Sequence, residues 1–107
     1  MYLFVMEKGI EKLLRSLVIK KYPMYLDVHV AEYGNSNPKY GRFNPNKRIC
    51  YEVFLVTLEQ DYIEDRYYEV IEYVKDIAKY MDVTICGVYS ESVTEEEWEE
   101  MKSDKKD

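Results

Sequence analysis

YLFVMEKGIEKLLRSLVIKK, residues 2–21, decides how the rest of the chain is arranged. Its first five residues, YLFVM, are apolar on every side, as a short central strand buried on both faces would be. Leu3, Met6, Ile10, Leu13 and Leu17 nevertheless keep the three-and-four spacing of one continuous helix. Gly9 favours a break, because glycine inside a helix costs about 1 kcal/mol. The reading adopted is a strand at 2–6 followed by a helix at 9–21. That helix would bury Ile10, Leu13, Leu14, Leu17 and Val18 and stop at Pro23.

Outward from there, MYLDVHVAEY at 24–33 alternates as a strand with one covered face. Met24, Leu26, Val28 and Val30 form the core side, and Tyr25, Asp27, His29 and Tyr33 the other. ICYEVFLVTLE at 49–59 is a second such strand, rich in β-branched and aromatic residues. It sets Ile49, Tyr51, Val53 and Leu55 against Cys50, Glu52, Phe54 and Val56, and Glu52 places the latter set on the face of His29. DYIEDRYYEVIEYVKDIAKYMD, residues 61–82, is the clearest helix. Its stripe runs through Ile63, Tyr67, Val70, Val74, Ile77 and Met81, and Asp61 with Glu64 forms a capping box. A strand at 83–90 follows. Thr94 and Glu97 then cap a short last helix, with Val93 and Trp98 as a hydrophobic staple.

The resulting order predicts a two-layer α+β sandwich of the ferredoxin-like βαββαβ type with a short C-terminal helix. If residues 2–6 are helical, the order becomes αββαβ. A single domain spans 1–102, and 103–107 fray. At 107 residues the chain buries roughly 65% of its unfolded surface in one core.

A chain that is 47% hydrophobic and 34% charged is that of a globular protein, and no apolar run approaches a membrane span. MYLFVM lacks the basic start and the cleavage site of a secretory signal, which makes the cytoplasm the expected location. Two cysteines, Cys50 and Cys86, cannot build a disulfide framework or a four-ligand zinc site, and are read as reduced, packed thiols. Twelve tyrosines with a single glutamine point to a thermophile or to an AT-rich genome such as a virus's.

Charge is uneven. Residues 1–48 carry nine Lys or Arg against four acids, a net of +5, and residues 49–107 carry six against seventeen, a net of −11. GNSNPKYGRFNPNKR, residues 34–48, reads as a loop holding Lys39, Arg42, Lys47 and Arg48 with no acid. Tyr40 and Phe43 stand between its cations, the composition of a surface that binds phosphates and stacks on unpaired bases. The net charge of −6 opposes nonspecific nucleic-acid binding, so an anionic protein is the preferred partner.

His29, the only histidine, shares its strand face with Asp27, and Glu52 faces the same way. Two carboxylates and an imidazole are a set that holds Mg²⁺ or Mn²⁺ or works as acid and base, which makes a metal-dependent nuclease or phosphodiesterase the alternative. Known motifs do not extend it. The DVH triplet lacks the first histidine of the rolling-circle initiator strand, and Phe54 stands where restriction-type nucleases place a lysine. Residues 49–56 lack the glycine–aromatic pattern of an RNA-recognition motif. There is no Gly-rich phosphate loop, HExxH, GxSxG or CxxC.

The function expected is therefore non-enzymatic and needs no cofactor: a binding or regulatory protein, dimeric through its open sheet face. Tyr25, His29, Tyr33 and Phe54 form that face, and Lys39, Tyr40, Arg42, Phe43, Lys47 and Arg48 engage the anionic partner. A second alternative is an acidic decoy offering residues 59–100 to a basic protein.

Overall fold

Helical periodicity wins over the glycine. In a computed structural model, which describes residues 2–33 and 50–105 and the side chains of 8–32 and 50–103, Tyr2–Lys21 is one uninterrupted helix, α1. The strand expected at 2–6 is therefore corrected. Gly9 sits on the exposed side, and a Cβ built there would meet nothing within 4 Å, so no contact requires a glycine or a break. A penalty of about 1 kcal/mol is small beside the burial of Ile10, Leu14 and Val18 along one face. Leu13, expected in the core, is 42% exposed.

The remaining elements are β1 (Tyr25–Tyr33), β2 (Cys50–Leu58), α2 (Glu64–Met81), β3 (Thr84–Val93) and α3 (Glu95–Lys105). The order is αββαβ, with a three-stranded sheet arranged β1-β2-β3. β1 and β2 are antiparallel; β2 and β3 are parallel, the pairing that needs a crossover connection such as α2. The protein is thus mixed α+β, and among the described residues the sheet has three strands rather than the four of the ferredoxin-like order. The helix α3 continues to Lys105, past the point where fraying is expected.

One cluster joins Ile10, Leu14 and Val18 of α1 with Val70, Val74 and Ile77 of α2. It also takes Val28 and Val30 of β1, Tyr51, Val53 and Leu55 of β2, and Val88 of β3. Because strand side chains alternate, both helices bury on one sheet face.

Asp61 does not cap α2. It closes a 3₁₀ turn, Glu59–Asp61, after which Tyr62 and Ile63 are extended; Ile63 takes the N-cap position with no side-chain cap. This puts Ile63 outside the stripe, 51% exposed. α2 ends at Asp82, which adopts a left-handed φ of 56° and donates its N–H to the carbonyls of Ala78 and Lys79. The Thr94–Glu97 box does form: Glu97 Oε1 accepts from the Thr94 N–H at 2.8 Å, and Thr94 Oγ1 accepts from the Glu97 N–H at 3.1 Å.

Candidate functional site

The two edge strands are met by helix side chains. On β1, Arg15 Nη2 donates to the Val28 carbonyl at 3.1 Å, and Glu11 Oε2 accepts from the Val30 N–H at 3.0 Å. Glu11 and Arg15 are one turn apart on α1 and bridge each other at 3.0 Å. This pair supplies a donor and an acceptor to the edge of β1, as a neighbouring strand would. On β3, the Tyr67 hydroxyl donates to the Val88 carbonyl at 2.7 Å.

Asp27 belongs to the same network. Its Oδ1 accepts from Arg15 Nε at 2.6 Å and from the Val28 N–H at 2.8 Å, and Oδ2 lies 3.5 Å from His29 Nε2. Asp27 is 2% exposed. Burial by itself raises the Glu11 carboxyl. The Val30 N–H, the hydrogen bond and charge of Arg15 and the nearby His29 outweigh it and hold that carboxyl below its usual value.

Across the sheet, His29 of β1 lies opposite Phe54 of β2, and Phe54 lies beside Tyr89 of β3. The three rings form a row on the face away from the core cluster. Phe54 and Tyr89 stack with centroids 5.4 Å apart at 26°. Tyr89 is 45% exposed and lies over Gly87, where an added Cβ would come within 2.7 Å of Tyr89 Cζ. Glu52 is on this face too, but opposite Ala31 and beside Gly87.

Tyr25 is not part of the row. The register slips between Tyr25 and Asp27, so a bulge at Leu26 inverts the alternation. Tyr25 is therefore 2% exposed in the core, and burial, then its neighbours Tyr62, Tyr67 and Tyr22, push its hydroxyl up to about 12. The side chain of Tyr33 lies outside the described residues. So do Lys39, Tyr40, Arg42, Phe43, Lys47 and Arg48; the chain leaves β1 at Tyr33 and enters β2 at Cys50, which are register partners.

The set Asp27, His29 and Glu52 shares a face as expected, yet Asp27 is already engaged by a guanidinium. A cation beside the carboxylate opposes a second cation at the same oxygens. Among the described residues, no group of three His, Cys, Asp or Glu is placed to hold a metal ion. No helix of the described residues is long and apolar enough to cross a membrane.

Three participants escape the sequence reading. Glu11 and Arg15 are signalled only by opposite charges one turn apart, and Tyr89 by the small residue two positions before it. Beyond the sheet, Leu26, Leu58 and Trp98 line a groove rimmed by Glu95, Glu96, Glu99 and Lys102. Comparison of the chain with protein-family models, with curated proteins and with solved structures finds no match.

Proposed function

We propose that this chain is a non-enzymatic binding protein that pairs with a second copy through its sheet face and engages an anionic partner with residues 35–48. The observation that carries the reading is the row His29, Phe54 and Tyr89 across the three strands. The row is self-complementary. A two-fold axis through Phe54 would set each His29 against the partner's Tyr89 and the two Phe54 rings against one another. Large stiff rings at the middle of a patch are the residues from which interfaces draw most of their energy. The basic segment joins Tyr33 to Cys50, register partners at one end of the same sheet, so pairing would bring two copies of it into one assembly. Two tethered binding segments hold a polyanion more tightly than one.

Engagement of Asp27 by Arg15 weighs against the metal-dependent phosphodiesterase. The acidic-decoy reading retains one support: Glu95, Glu96, Glu97, Glu99 and Glu100 are all exposed on α3. It predicts binding to basic proteins that falls steeply with salt.

Sedimentation equilibrium tests the pairing. The wild type should be dimeric, and Phe54→Ala or Tyr89→Ala should weaken the dimer by about 30-fold, the equivalent of a 2 kcal/mol hot spot. A wild type that is monomeric at every concentration sinks this half. Changing Lys39, Arg42, Lys47 and Arg48 together to Ser should abolish binding to an acidic partner while leaving the melting temperature unchanged. If binding survives that variant, the segment is not the contact.

A further inference from the structure

We propose that Cys50 and Cys86 are a modification site: they close into a reversible intrachain disulfide that ties β2 to β3. Cys50 opens β2 opposite Thr84 of β3. The register then slips after Tyr51 and Ile85, making Cys86 the extra residue of a bulge. That bulge brings the Cys86 Sγ to within 3.4 Å of the Tyr51 carbonyl oxygen, one residue from Cys50. The two cysteines therefore stand on hydrogen-bonded neighbouring strands, with only the bulge between their register positions. Cys86, expected to be packed, is exposed and Cys50 is half-buried, so a small oxidant can reach the pair. They are the only cysteines of the chain, so no third thiol competes for either.

The oxidant class is a low-molecular-weight disulfide such as oxidised glutathione. Although the residue as a whole is exposed, desolvation at its sulfur, then the Cys50 thiol and the Glu52 charge, push the Cys86 thiol up to about 12. Cys86 therefore stays protonated at neutral pH, and in the proposed sequence it reacts second. The Cys50 thiolate attacks one sulfur of the small disulfide and releases one small thiolate, leaving a mixed disulfide on Cys50. Cys86 then gives up its proton, attacks Cys50 Sγ and expels the second small thiolate. One S–S bond of the oxidant is broken, one intrachain S–S bond is made, and two electrons and two protons end on the two small thiols. The inference does not depend on the binding reading above.

The experiment is incubation of the full chain with oxidised glutathione, then alkylation in denaturant and mass spectrometry with a non-reducing peptide map. The wild type should lose two hydrogens in mass, take up no alkylating agent, and yield one linked peptide pair containing Cys50 and Cys86. Its melting temperature should rise by about 10 °C and fall back on adding dithiothreitol. Cys86→Ser, or Cys86→Ala if the serine variant folds poorly, should stop at a stable glutathione adduct on Cys50. Stable adducts on both wild-type cysteines, interchain dimers, or two thiols that remain alkylatable would each overturn the proposal.

Discussion

Arg15 Nε lies 2.6 Å from Asp27 Oδ1, and the two ends of this pair live in different surroundings: the arginine side chain is 36% exposed, the aspartate 4%. The cation therefore keeps much of its hydration while it compensates a carboxylate that has lost its own. Such a pair costs little to form and much to break from the arginine side. Arg15→Met should destabilise the protein by about 3 kcal/mol in urea unfolding, because it strips Asp27 of its charge partner and the Val28 carbonyl of a donor. Adding Asp27→Asn to that variant should recover part of the loss. A cost near zero for the single change would mean that the pair behaves as an exposed one.

Glu11 gives the same network a pH dependence. Its carboxyl is held below the usual 4.5 in the folded state, so its stabilising contribution is fully present above that value. The contribution is lost as pH falls through the folded-state value. The urea midpoint of the wild type should exceed that of Glu11→Gln at neutral pH. The gap should close in acid, and a gap that stays constant would show that the charge is not what Val30 and Arg15 hold.

Gly9 offers the opposite test. With open space around the position, Gly9→Ala should stabilise α1 by about 1 kcal/mol and raise the melting temperature by roughly 4–8 °C. A fall would show that the backbone at this point needs the freedom of glycine.

Gly87→Ala should displace the Tyr89 ring, since an added Cβ would crowd its Cζ at 2.7 Å. The obstructing atoms belong to a side chain that can swing aside, so global stability should change by less than about 1 kcal/mol. The Tyr89 ring resonances in NMR should move, and any dimer built on the row should weaken at least about tenfold. Unmoved ring resonances would show that the ring does not lie over Gly87 in solution.

The sequence carries most of this architecture because two periods are written plainly in it. Val70, Val74 and Ile77 announce the buried face of α2, and the alternation through β2, with Glu52 marking the polar side, places Phe54 on the face of His29. The Thr94–Glu97 box is likewise local, three residues apart, and so visible. What is hidden has physical causes. YLFVM is apolar at every position, so it contains no period to separate strand from helix. The bulge at Leu26 inverts the side-chain alternation without any glycine or proline to mark it, and so Tyr25 moves from the expected outer face into the core. Asp61 is lost as a cap because Glu59–Asp61 coil into a 3₁₀ turn first. The meeting of Arg15 with Asp27 depends on how α1 settles along β1, a tertiary fact that no local pattern encodes.

The occupied strand edges bear on how this molecule can grow. A sheet extends when another strand finds a vacant row of amides and carbonyls. Here Glu11 and Arg15 hold that row at Val28 and Val30, and Tyr67 holds the Val88 carbonyl. Edgewise addition, which has no natural end, is thereby obstructed at these positions. Removing the three side chains should open these edges to fibre-forming addition.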